Sequence, residues 1–256
     1  MSLHDWSFLS THHKFIAFGN YEQLWRDSRF WNALRNTLIF SAVVVPVQVA
    51  IGLALAIALS HNNLINRLMR SIFFFPVIAS LATMAIVWKF LLDPSIGIIP
   101  HLLSAVGLPH PNFLQNLTLA LPTVIVVSIW KNVGFTMVIL LAALQGVPKS
   151  IYEAGAIDGA GRWARFRYLT LPSLRHSLLF ATVISVIASL QLFDQVYVMT
   201  GGGPLFHTET LVTYMYQQGF QNYRSGYAAS IAWVLFILIM LASALQLRLF
   251  RYRDVD

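Results

Sequence analysis

The sequence predicts an all-α fold: a polytopic membrane helix bundle with about five spanning helices. Three observations predict it. Hydrophobic residues make up 57% of the chain and charged residues only 11%, with a mean hydropathy of +0.66. A soluble domain carries about 25% charged residues, so this chain cannot cover a water-facing surface in the usual way. Five apolar stretches approach the roughly 20 residues that a helix needs to cross the hydrocarbon core. The basic residues gather between those stretches rather than within them.

Each stretch has its own character. The first, residues 38–59, holds Gln48 as its single strongly polar member. The second, 71–92, is interrupted by Pro76. The third, 119–144, carries Trp130, Lys131 and Asn132 near its middle. The fourth, 178–199, carries Gln191, Asp194 and Gln195 toward its end, and the fifth, 227–249, is nearly free of polar residues. Isolated strands cannot cross lipid with unpaired backbone groups, so these are read as helices.

Charge sets the orientation. Arg67 and Arg70 follow the first span; Lys149, Arg162, Arg165, Arg167 and Arg175 follow the third; Arg248, Arg251 and Arg253 end the chain. These ten of the seventeen basic residues share one side, and the bias of Lys and Arg toward cytoplasmic loops makes that side cytoplasmic. Residues 1–35 then lie outside, although Lys14, Arg26, Arg29 and Arg35 fit that placement badly. The net charge of +7 is explained by these loops, and no basic face interleaved with aromatics points to nucleic acid. With no cysteine, disulfides and thiolate metal sites are excluded. The eight histidines show no metal-ligand spacing, so no metal site is expected.

The longest cytoplasmic connection, 145–176, reads QGVPKSIYEAGAIDGAGRWARFRYLTLPSLRH. Pro148 breaks the preceding span. Ser150 followed by Glu153 has the spacing of a capping box, so a short helix is expected to start at Ser150. Gly159 and Gly161 supply its stop. An ordinary capped loop helix and a helix that docks a partner are equally compatible with this pattern.

The same loop resembles the EAA signature of permease subunits in ATP-binding-cassette importers. The matching positions are Glu153, Ala154 and Gly155, then Gly159, then Leu169, Leu171 and Pro172, with Gly155 where the signature has a second Ala. The segments NYEQLWRDSRFWNALRNTLIFS (20–41), IWKNVGF (129–135), MTGGGP (199–204) and GYAAS (226–230) are similar to the carbohydrate-uptake branch, the relatives of maltose and glycerol-3-phosphate permeases. That family has one more spanning helix before the Asn-Tyr segment. The first helix of the usual set is thus expected upstream, or this chain is shortened or a five-helix subunit.

The resemblance implies a division of labour. A cytoplasmic coupling helix, with Glu153, Ala154, Gly155, Asp158 and Gly159 and with Pro172 beyond it, would contact one of two ATPase subunits. A second permease subunit would complete the path, and an extracytoplasmic solute-binding protein would deliver a sugar or related polyhydroxy solute. The expected place is the inner (plasma) membrane, multi-pass, with the C-terminus cytoplasmic. The implied organisation is an extracytoplasmic segment at 1–35, a transmembrane permease domain at 36–250 and a cytoplasmic tail at 251–256. No Gly-x-x-x-x-Gly-Lys-Ser/Thr loop is present, so this chain is expected to be non-catalytic, without cofactor, with ATP and Mg held by the ATPase.

Substrate-path candidates are Gln191, Asp194 and Gln195 with neighbouring Phe193 and Tyr197, and Trp130, Lys131 and Asn132. Polar groups within spans usually face a bundle interior or a wet cavity. For each, interhelical hydrogen bonding stands beside solute contact. Gln48 is read as a helix-contact residue, and Gly201–Pro204 as an outer turn. An ion-gradient-driven secondary transporter is the main alternative, but the matched broken helices of a repeated half are not found. An intramembrane enzyme would need a nucleophile–base or metal constellation inside the spans, and none is seen.

Overall fold

The computed structural model describes residues 1–7, 9, 14–109 and 111–251. Beyond its first residue, the expected tail at 251–256 lies outside the described residues. Two short antiparallel strands, β1 (His4–Asp5) and β2 (Lys14–Phe15), pair His4 with Phe15 and Asp5 with Lys14. Every other described element is helical: α1 (Gly19–Arg26), α2 (Ser28–Ala58), α3 (Leu64–Ile78), α4 (Leu81–Leu91), α5 (Ile98–Ala105), α6 (Ala120–Gln145) and α7 (Lys149–Ile157). After these come α8 (Arg162–Arg165), a π-helical turn (Phe166–Thr170), α9 (Leu171–Ser173), α10 (Arg175–Leu190) and α11 (Asp194–Met199). The chain closes with α12 (Leu211–Tyr216), a second π-helical turn (Gln217–Gln221) and α13 (Ser225–Arg251).

Among the described residues three helices, α2, α6 and α13, are long and apolar enough to cross a membrane. Two bent pairs, α3 with α4 and α8–α9 with α10, bring the number to five if each pair is one span. The expected helical bundle is therefore present with three to five candidate spans, and the second apolar stretch is bent rather than continuous. In the second span Pro76 stays inside α3, and the break falls after it, where Ala79 and Ser80 turn extended. Pro76 lacks the N–H that would bond one turn back, which weakens the helix just before it ends. The bend of the second pair falls at Leu174, and the apolar run of the expected fourth span is separately interrupted at residues 191–193. The freed carbonyl of Leu192 accepts a hydrogen bond from the Thr210 hydroxyl at 2.8 Å, the kind of substitute partner a broken helix needs at membrane depth. The first span begins at Ser28, ten residues before the apolar run.

The chain forms two compact units. One comprises Met1–Val43, Ser80–Ser128 and Val186–Leu245; the other comprises Val44–Ala79, Ile129–Ser185 and Gln246–Asp256. The first unit packs Leu24, Phe30, Ala33, Leu190, Leu211, Tyr214, Tyr227, Ile231 and Leu235 into one buried cluster. A second cluster joins Ala85, Leu92, Val127 and Met199. The Asn20 side chain ties down the N-terminal strands, donating to the carbonyls of Ser2 at 2.7 Å and His4 at 3.0 Å.

The second unit is packed around Ala56, Leu59, Met137, Leu140, Leu141 and Ala181. Lipid tails are as apolar as leucine, so close packing and interhelical hydrogen bonds must hold such helices together. Both are visible. A Cβ on Gly134 of α6 would lie 2.1 Å from the carbonyl oxygen of Phe73 on α3, so the two backbones touch only because that side chain is absent. Gln48 of α2 donates to Thr136 Oγ1 at 2.9 Å and to Ser185 Oγ at 3.3 Å, which makes it the helix-contact residue its position suggested.

Candidate functional site

The connection after α6 is built from local chemistry. Pro148 stands at the N-cap of α7 with φ −57° and ψ 134°, and its carbonyl accepts the Ile151 N–H. The helix thus starts one residue earlier than the capping-box spacing implies. Ser150 and Glu153 both lie inside it, and no side chain caps the first turn. The expected capping box does not form, because Pro148 takes the capping position first.

The other end closes as expected. Gly159 has φ +73°, while its N–H bonds to Ala156 O and that of Ala160 to Gly155 O. This pair of bonds is a Schellman ending, which calls for a residue that tolerates positive φ. On its inner side α7 packs against its own chain. A Cβ on Gly155 would meet Leu169 Cδ1 at 2.6 Å, and Tyr152 shares a 3.2 Å hydrogen bond with Thr170. Arg165 Nε holds the Ala160 carbonyl at 2.7 Å.

The other face is open. Glu153, Ala154, Ala156, Ile157 and Asp158 are exposed, with Ile157 at 87%, and beside them Trp163 and Tyr168 are each 73% exposed. Pro172 is exposed on α9. Of the residues singled out in this loop, Glu153, Ala154, Asp158 and Gly159 share the open side of α7 or its end, whereas Gly155 turns inward.

The polar residues of the spans separate by unit. Trp130, Lys131 and Asn132 belong to the second unit. Lys131 is buried and its ammonium donates to the Val77 carbonyl at 3.0 Å, satisfying the last turn of α3. That contact is the interhelical reading of this residue. Trp130 is partly exposed and Asn132 half-buried. Gln191, Asp194 and Gln195 belong to the first unit. The expectation that 191 and 195 share one helix face fails, because the helix stops at Leu190. Gln191 is exposed in the break, Asp194 starts α11 half-buried, and Gln195 is buried, accepting a hydrogen bond from the Ser128 hydroxyl.

Two features of the first unit were not anticipated. One is an aromatic cluster. Phe193 and Tyr197 stack with centroids 5.1 Å apart, Tyr216 meets them at 5.1 and 5.3 Å, and Phe220 stacks on Tyr216 at 5.3 Å. Tyr197 also lines a cavity of about 340 Å³ with Lys89, Asp93, Asn112, Gln115 and Thr200. The aromatic run YMYQQGF at 214–220 carried the sequence signal for this cluster.

The other is a buried polar anchor beneath the GGGP turn. Thr208, Glu209 and Thr210 are fully buried. Arg29 grips both carboxylate oxygens of Glu209 at 2.8 and 2.5 Å, donates to Gln217, and lies 3.8 Å above the Phe206 ring. Asn36 donates to the carbonyls of Phe206 and Glu209, both at 3.0 Å. Burial pushes the Glu209 carboxyl above its ordinary range, against the downward pull of Arg29. At nearby Asp27 burial also pushes upward, but hydrogen bonds from Tyr214 and Tyr227 and the backbone outweigh it and hold the carboxyl low.

Comparison with known proteins places this architecture. The family described as "Binding-protein-dependent transport system inner membrane component" matches residues 48–253. The chain is 39% identical to the lactose transport system permease protein LacF of Rhizobium radiobacter, over 91% of this chain and 80% of that one. It is 34% identical to the sn-glycerol-3-phosphate transport system permease protein UgpA of Yersinia pestis, over 92% and 80% respectively. In fold it superposes with TM-score 0.86 on a chain of a bacterial ABC transporter involved in the import of the acidic polysaccharide alginate. That match has 24% identity and covers 93% of this chain and 84% of the other.

Proposed function

Because this chain belongs to the family of binding-protein-dependent transport system inner membrane components, we propose that it is one of two permease subunits of an ATP-binding-cassette importer for a sugar or related polyhydroxy solute. The match over residues 48–253 carries this reading. The relatives named for lactose and sn-glycerol-3-phosphate transport support the solute class. No finding favours the ion-gradient-driven alternative.

In this reading an extracytoplasmic binding protein delivers the solute, and the C-terminus lies in the cytoplasm with the basic loops. The chain itself is non-catalytic: ATP and Mg belong to two separate ATPase subunits. Helix α7 is the coupling helix. Its inner side is occupied by Leu169 and Thr170, so a push on the exposed Glu153, Ala154, Ile157 and Asp158 would pass into the π-helical turn and on toward α10. The neighbouring apolar surface of Trp163 and Tyr168 would widen the contact, since such exposed side chains suit a partner surface.

The test is co-purification from native membranes through a C-terminal tag, for the wild type and for Glu153→Arg. The wild type is expected to bring down a cassette ATPase and a second permease. Glu153→Arg is expected to lose the ATPase selectively and keep the permease. A wild type that purifies alone in every mild detergent would sink the importer reading, and a variant that keeps its ATPase would sink the role of Glu153.

A further inference from the structure

We propose that the cavity beside Tyr197 is an outer solute subsite that takes a single hydroxyl-bearing sugar ring, stacked on Tyr197 and held by the polar groups at its rim. The inference rests on the importer reading and adds to it a site whose lining includes none of Gln191, Asp194, Gln195, Trp130, Lys131 and Asn132. Every lining residue belongs to the first unit. The volume of about 340 Å³ lies at the lower end of small-molecule sites, which run from about 300 to 1,000 Å³, a size for one ring rather than an extended chain.

The chemistry of the lining suits such a ring. Tyr197 is 40% exposed and is backed by Phe193, whose plane is only 20° from its own. Tyr216 packs against both rings, tilted by 54° to Phe193 and at 74° to Tyr197, so the Tyr197 ring is held between two aromatic neighbours. Sugar rings present C–H groups on one face and hydroxyls around the rim, which an aromatic plane surrounded by donors and acceptors can match. Donors and acceptors are both present here. Asp93 Oδ1 accepts from the backbone N–H groups of Ser95 and Ile96 at 2.8 and 3.2 Å, which fixes the carboxylate and turns its other oxygen to use as an acceptor. Asn112 Oδ1 similarly accepts from the Gln115 N–H at 3.3 Å, so its amide nitrogen supplies a donor. Lys89 and the Gln115 amide add further groups that can point at hydroxyls. The charge-based orientation puts this rim on the extracytoplasmic side, where solute arrives.

A photoreactive diazirine derivative of lactose, applied to the tagged full-length chain with its co-purifying subunits in lipid nanodiscs, tests the site. Labelling that free lactose competes away is expected within 89–93, 112–115 or 197–200. Tyr197→Ala should cut that labelling about fivefold, in line with the loss of one ring contact, while Tyr197→Trp should hold it within about twofold. Asn112→Ala, on a loop, should also weaken it and guards against a Tyr197→Ala protein that fails to fold. Labelling that free lactose does not displace, that lies only elsewhere, or that survives both Tyr197→Ala and Asn112→Ala would overturn the subsite. The ATPase in the same preparation reads the importer assignment separately. Its presence with no competable label removes the subsite alone, whereas its absence removes the reading beneath it.

Discussion

Two connections in this protein, residues 145–176 and 200–221, are built on opposite principles. The first is closed by short-range contacts. Tyr152 reaches Thr170 across 18 residues, Leu169 rests against Gly155, and the outer face of α7 stays open. The second is held by partners 170 to 188 residues away in sequence, on α2, and its centre, Thr208 to Thr210, is fully buried. A segment whose outer helix is held by near neighbours in sequence can present a surface and move as a piece. One pinned by a half-buried ion pair and by side-chain amide bonds from Asn32 and Asn36 serves as a fixed part of the frame.

The sharpest way to break that contrast is Glu209→Ala. It leaves Arg29, whose side chain is 28% exposed, without its carboxylate; removing one member of a fully buried pair costs about 3–5 kcal/mol, and this half-buried pair should lose about 2–3 kcal/mol. A large drop in the thermal unfolding temperature of the purified protein is expected, whereas Glu153→Ala, on an exposed position, should stay within about 0.5 kcal/mol. Equal losses would erase the distinction. Next in size is Gly134→Ala, where the new methyl collides with a backbone carbonyl; overpacking of this kind costs about 1–3 kcal/mol, read by the same melt. Gly159→Ala should cost about 1–2 kcal/mol, the penalty for holding a Cβ at positive φ, with Gly159→Asn partly restoring stability. Smallest is Ser150→Ala. Because no cap forms there, the change should be under about 0.5 kcal/mol, and a loss near 1 kcal/mol would mean that the capping box exists in solution.

How far each region could be read from sequence follows the same division. The helical class, the apolar stretches behind the three to five candidate spans and the short helix after Pro148 were legible because each depends on composition or on neighbours a few residues away. The Gly159 stop is of that kind too. The start of α7 was misplaced by one residue because Ser150 and Glu153 have the right spacing, but Pro148, with its φ already set near −60°, wins the N-cap. The breaks at 79–80 and 191–193 were missed for a different reason. Nothing local at Leu192 announces that Thr210 will satisfy its carbonyl, so an apolar run there reads as continuous helix. The Arg29–Glu209 pair was invisible in the same way: both residues look like ordinary loop charges until α2 and the segment after α11 are brought together. Lys131 was visible as an anomaly within a span, but its partner, a backbone carbonyl of α3, was not.

The double grip of Asn36 has a consequence for how this protein can vary. One amide nitrogen reaches two carbonyls, at positions 206 and 209, each at 3.0 Å, so it measures the chain between them like a gauge block. A residue added or deleted inside 205–209 would carry one carbonyl out of reach and rotate Glu209 away from Arg29. Length changes should therefore be rejected here, although connecting loops usually absorb them, and gene libraries of random insertions should show a gap at this stretch.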